Sequence, residues 1–116
     1  MDKEFAWTDD VDCAITVCDK EGKVIFQNKV SRGLFEKHGE TMIGKSLLPC
    51  HNDHSRQLIG EMLATGHTHC YTITKRGRKK IVYQTPWKLD GKVAGLVEIS
   101  FYLPDTMVHY DRDKGE

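Results

Sequence analysis

The sequence predicts an α+β domain: a five-stranded antiparallel sheet with helices packed on one face, in the order two strands, helices, three strands. Three observations predict it. Asp19-Lys20-Glu21-Gly22 separates two short apolar runs and carries the Asp and Gly that a tight turn selects. Val30, Leu34, Phe35 and His38, and later Leu58, Ile59, Met62 and Leu63, recur at helical spacing. Downstream, Tyr71 and Ile73, Ile81 and Tyr83, and Val97, Ile99, Phe101 and Leu103 alternate with their neighbours, the period of two that marks a sheet with one covered face.

Element by element, Cys13 to Asp19 reads as a first strand and Lys23 to Gln27 as a second, so the turn between them makes a hairpin. Asn28 supplies an N-cap for the first helix, which Gly39 stops. Thr41 to Pro49 is irregular or a single helical turn. Asn52 or Asp53 caps the second helix and Gly66 closes it. Thr68 to Lys75, Lys80 to Leu89 and Lys92 to Leu103 are strands, joined by turns at Arg76-Gly77 and Asp90-Gly91 into a meander. Neither strand group is stable alone, so the two join in one sheet. Residues 1–10 form an N-terminal segment expected to carry a dimerisation helix, 11–103 the domain, and 104–116 a polar tail.

Composition bounds the function classes. With 116 residues, 39% hydrophobic and 29% charged, the chain makes one domain with one core. Seventeen Lys plus Arg balance seventeen Asp plus Glu, so no net basic field draws it to nucleic acid or anionic lipid. Apolar runs such as Val24-Ile25-Phe26 fall far short of the roughly 20 residues of a bilayer span. No apolar signal core follows Met1-Asp2-Lys3-Glu4, and the expected compartment is the cytoplasm. There the four cysteines, Cys13, Cys18, Cys50 and Cys70, remain thiols, with no Cys-x-x-Cys pair among them.

The stretch from Ala14 to Asn28, with its Asp19-Lys20-Glu21-Gly22 turn and the Asn leading into a helix, is similar to the opening of PAS domains, small sensory modules of signalling proteins. Met42-Ile43-Gly44-Lys45 resembles the Ile-Gly-Lys before that family's middle helices, and Gly91 to Ile99 resembles its final strand. Pro49-Cys50-His51 with Ser55, and Gly95-Leu96-Val97-Glu98-Ile99, look like the subgroup attached to hemerythrin-like domains. The resemblance implies a small pocket between sheet and helices that holds haem, flavin, a metabolite or nothing. It also implies association through the outer sheet face and a helix before the first strand. Here that helix falls in Asp2 to Asp10, with Phe5 and Trp7 as apolar anchors of a homodimer. Leu103-Pro104-Asp105-Thr106 replaces the family's usual Asp-Ile-Thr, and Pro104 would break a signalling helix there. If the chain is the whole protein, its signal passes to a partner protein in trans.

Reactive side chains concentrate in Cys50-His51-Asn52-Asp53-His54-Ser55, at the start of the second helix. The helix dipole stabilises a thiolate at Cys50, and His51 or His54 could serve as its base. Against catalysis, residues 50 and 51 point apart, and no orienting residue or oxyanion-hole motif accompanies them. A metal reading joins Cys50, His51 and His54 with His67, His69 and Cys70. The helix holds those two groups roughly 18 Å apart, so no metal site is expected. For haem, the resemblance implies an axial His on the helix before the third strand, and His54 falls near that place. A photosensory flavin is disfavoured, because Ser46-Leu47-Leu48 stands where that subgroup has Asn-Cys-Arg. Arg76-Gly77-Arg78-Lys79-Lys80 reads as a solvated basic turn with edge lysines, and Pro86-Trp87 as an edge or bulge.

These observations point to a non-catalytic, cytoplasmic sensory or protein-interaction module. Its small-ligand pocket is expected to involve Cys50, His51, His54, Ser55, Leu58, Met62, Tyr83 and Ile99, and its dimer interface Phe5 and Trp7. The alternatives are a haem- or metal-binding sensor using His54 or His51 and, more distantly, a Cys50-dependent enzyme.

Overall fold

Asp19 builds the first hairpin. Its Oδ1 accepts the N–H groups of Glu21 and Lys23, each at 3.0 Å, and its carbonyl accepts from Gly22 at 3.0 Å. Gly22 completes the turn at φ 83°, in the left-handed region that favours glycine. The turn joins β1 (Ala14–Asp19) to β2 (Val24–Gln27). The computed structural model describes residues 3–35, 43–44 and 53–115. Over these, a 3₁₀ helix (Lys3–Asp9) precedes β1, and α1 (Lys29–Phe35) and α2 (Asp53–Thr65) follow β2. Then come β3 (His69–Lys75), β4 (Arg78–Leu89), β5 (Lys92–Tyr102) and a final 3₁₀ turn (Arg112–Lys114). The expected end of α1 at His38 and Gly39 lies outside the described residues, as do Asn52 and most of Thr41 to Pro49.

The strands form one antiparallel sheet in the order β2-β1-β5-β4-β3, the α+β architecture that the sequence predicts. Both hairpins of the meander close in two residues. Arg76 and Gly77 take φ 54° and 75°, and Asp90 and Gly91 51° and 77°, the paired left-handed conformations of a type I′ turn. Pairing of β3 with β4 stops at His69 and Gln84, and Pro86 lies beyond that end, just before a bulge between Trp87 and Lys88. A strand tolerates a missing N–H there. A second bulge at Val17/Cys18 leaves Ile25 of β2 unpaired.

The helices are set by their caps. Asn28 Oδ1 accepts the Ser31 N–H at 3.0 Å, capping α1, and Gly66 ends α2 at φ 77° with its N–H on the Met62 carbonyl at 2.8 Å. Ile59 and Met62 of α2 bury against Cys18, Val24 and Leu96 of the sheet, with Leu63 packed on this cluster. Gly44 donates to the Val24 carbonyl at 2.7 Å, which fixes the Ile43-Gly44 corner beside β2. No helix among the described residues is long and apolar enough to cross a membrane.

The sheet corrects the expected phase of the apolar alternation. Directly opposed residues share a face, and the face under α2 continues from Cys18 and Leu96 through Thr16, Glu98 and Gln84. The stripe of Ile81, Tyr83, Val97, Ile99 and Phe101 therefore lies on the other face, joined by Ile15 and Val17. Of the expected inward set, Tyr71 and Ile73 do share the helix-covered face, opposite Val82 and Lys80. A period of two fixes which residues travel together but not which set meets the helices.

Candidate functional site

One polar residue from each strand lines up across the helix-covered face. His69 opposes Gln84, Gln84 opposes Glu98, Glu98 opposes Thr16, and Thr16 opposes Gln27, so a single row crosses the whole sheet. Thr16, Gln27 and Gln84 are at most 3% exposed, and buried polar groups of this kind need partners. They find them in Glu98 and in Ser31 of α1. Gln84 Nε2 donates to Glu98 Oε1 at 2.8 Å, Thr16 and Ser31 hydroxyls share a bond of 2.5 Å, and Gln27 Nε2 donates to Ser31 Oγ at 3.0 Å. His69 is the exception: its Nδ1 is buried without a partner, while its ring lies 5.0 Å from that of Tyr71.

Toward the β3–β4 turn the next rows are Tyr71, Val82, Ser100 and Ala14, then Ile73, Lys80 and Tyr102. Lys80 is 6% exposed, which corrects its reading as part of a solvated turn. Its ammonium lies 5.3 Å from the Tyr102 ring centre, and the Arg78 guanidinium 4.3 Å from the same ring. Burial pushes the Lys80 pKa down, the nearby Lys75 charge adds to this, and Glu98 opposes it. Burial likewise pushes the Tyr71 hydroxyl up, reinforced by Glu98 and opposed by Gln84. Between α1 and the sheet these rows leave a cleft of about 200 Å³ bounded by Leu34, Tyr71, Lys80, Val82, Glu98 and Ser100. The cleft offers hydroxyl donors, the ammonium groups of Lys80 and Lys75 and one carboxylate around an apolar floor, the mix of groups by which pockets orient small molecules.

The sequence-predicted site residues divide. Cys50 and His51 lie outside the described residues. His54, Ser55 and Leu58 fall on α2, but their side chains are also outside the description. Met62 is buried against the sheet at 4% exposure. Tyr83 and Ile99 oppose each other on the far face, so the sheet does not bring them to the cavity side with Met62. Phe5 and Trp7 are 55% and 56% exposed on the N-terminal helix. His67 and Cys70 are exposed and His69 points inward; among the described residues no three His, Cys, Asp or Glu side chains gather as a metal site would require. Sequence reasoning missed Thr16, Gln84, Glu98 and Ser100. Their signal was present, polar residues spaced by two beside an apolar stripe, and was assigned to the solvent face.

A family model described as the PAS fold matches residues 8–101. No curated protein matches the chain. Among solved structures, a PAS domain from Colwellia psychrerythraea aligns with TM-score 0.66 and 19% identity over 87% of this chain and 94% of its own. A sensory box sensor histidine kinase from Vibrio cholerae aligns with TM-score 0.66 and 16% identity, over 84% and 87%. Vibrio cholerae VqmA, described among LuxR-type receptors, aligns with TM-score 0.70 and 17% identity over 93% of this chain but 53% of VqmA. VqmA has also been solved bound to DPO.

Proposed function

Since the chain belongs to the PAS-fold family, we propose that it is a sensory module of signal transduction that binds a small polar ligand in the cleft on the helix-covered face and acts without catalysis. One observation carries the reading: the row of polar residues from His69 to Gln27, with Thr16, Gln27 and Gln84 buried and His69 and Glu98 half-buried, occupies ground that a domain selected for stability alone would fill with apolar side chains. The orphaned His69 Nδ1 lies on the same face as the largely buried Lys80. VqmA, a fold relative, is itself a ligand-bound receptor. Native mass spectrometry of protein from its own host, purified without dialysis, tests this reading. The wild type should carry a small molecule that Ser100→Ile, which fills the cleft, does not. A wild type that flies bare under gentle conditions would overturn it.

We propose further that the module works as a homodimer and passes its signal to a partner protein. Tyr83 and Phe101 on the outer sheet face, each 39% exposed, and Phe5 and Trp7 on the N-terminal helix form apolar surfaces of the kind that mark protein contacts. Deleting residues 2–10, or substituting Ile99→Glu, should give monomers in light scattering; an unchanged mass in both would count against this assembly. The free thiols Cys13, Cys18 and Cys70 fit a cytoplasmic location.

A further inference from the structure

The cleft is charged at its β3–β4 end, and unevenly so. Lys80, a residue only 6% exposed, brings an ammonium that lies 5.3 Å from the centre of the Tyr102 ring and within the field of Glu98. Burial costs such a cation part of its hydration, and a bound anion would offset that cost. Lys75 adds a second ammonium to the rim. Glu98 is the single carboxylate of the lining, and one of its oxygens is already occupied by Gln84 at 2.8 Å.

We infer that the cleft receives a small monocarboxylate, its carboxylate paired with Lys80 and a hydrogen-bond donor at its other end facing Glu98. The inference rests on the reading of the cleft as the ligand site. Register supports the arrangement. Lys80 opposes Tyr102, four residues beyond Glu98 on β5, so the backbone positions that carry the two charges lie roughly 13 Å apart along the strands. Between them Val82 and Leu34 supply an apolar wall, and the Ser100 hydroxyl a further polar group. At about 200 Å³ the space lies below the range of drug-sized pockets and suits a molecule of metabolite size. Glu98 repels a second carboxylate, so dicarboxylates are excluded by charge rather than by length.

The test uses three probe series of equal length, about four to six carbons each: hydroxyl-terminated monocarboxylates, their primary amides, and dicarboxylates, titrated calorimetrically into the full chain. The monocarboxylates should bind about tenfold or more tighter than either other series. Lys80→Met, which keeps the length of the side chain, should erase that preference while the variant still unfolds cooperatively. Glu98→Gln should admit the dicarboxylates, an independent readout should Lys80→Met fail to fold. Amides binding as well as acids, or dicarboxylates still rejected by Glu98→Gln, would overturn the ligand class while leaving the cleft as the ligand site. Binding by no series, together with a bare wild type in native mass spectrometry, would overturn both readings.

Discussion

Asn28 holds Thr8 in place: its Nδ2 donates to the Thr8 carbonyl at 2.8 Å, tying the N-terminal helix to the sheet. The same amide donates to the Cys13 carbonyl at 2.8 Å, and Oδ1 accepts from Ile15 at 2.9 Å and Ser31 at 3.0 Å. A single fully buried side chain thus joins three elements. Asp9 reinforces the joint by accepting from the Lys29 N–H at 2.8 Å and pairing with Arg32 at 3.5 Å. Because Ser31 also bonds Thr16 in the polar row, the cleft and the N-terminal helix share a continuous set of contacts.

Asn28→Ala should therefore destabilise the domain by about 3 kcal/mol, since it leaves buried backbone groups unsatisfied and removes the α1 cap. Urea unfolding followed by circular dichroism measures this. A loss below about 1 kcal/mol would show that water or rearrangement replaces these bonds.

Gly95 and Trp87 make a second dependency. A Cβ on Gly95 would overlap both the Cys18 carbonyl oxygen and Trp87 Nε1, which donates to that oxygen at 3.0 Å. Gly95→Ala should cost about 3 kcal/mol through overpacking, and Trp87→Phe about 1 kcal/mol. Because the residues touch, the double variant should lose less than the sum of the two, and strict additivity would contradict the contact.

Burial pushes the Cys18 thiol from 9.0 up to about 11. Above pH 9 the unfolded chain releases this proton while the folded chain holds it, so stability present at neutral pH declines as pH rises toward about 11. Lys80, whose pKa is lowered by burial, acts with the opposite sign in the alkaline range, so the comparison with Cys18→Val isolates the thiol. The variant should show a shallower alkaline decline in urea midpoint; an identical pH profile would contradict the assignment. At neutral pH an alkylating agent should label exposed Cys70 well before buried Cys18, as peptide mass spectrometry would report.

Much of this fold was legible because local chemistry decides it. Asp19 and Gly22 specify their turn, Asn28 its cap, Gly66 its helix end and Asp90-Gly91 its hairpin, each through neighbours a few residues away. The family resemblance read from Ala14 to Asn28 agrees with the match over residues 8–101. The site was less legible because it depends on register. Whether Val97, Ile99 and Phe101 or Leu96, Glu98 and Ser100 face the helices is settled by which strands pair and where α2 lands, and a single strand carries neither fact. Lys80 escaped for a related reason: three cations beside a turn suggest solvent, yet pairing with Ile73 and Tyr102 turns this one inward.

The central claim is that ligand recognition belongs to the polar, helix-covered face rather than to the apolar outer one. Amide chemical-shift mapping during titration with a small-molecule extract of the host tests it most directly. The account predicts saturable shifts centred on Thr16, Gln84, Glu98 and Ser100, with Ile81, Tyr83, Val97 and Phe101 moving less. Shifts confined to the outer-face residues, or none at any extract concentration, would contradict it.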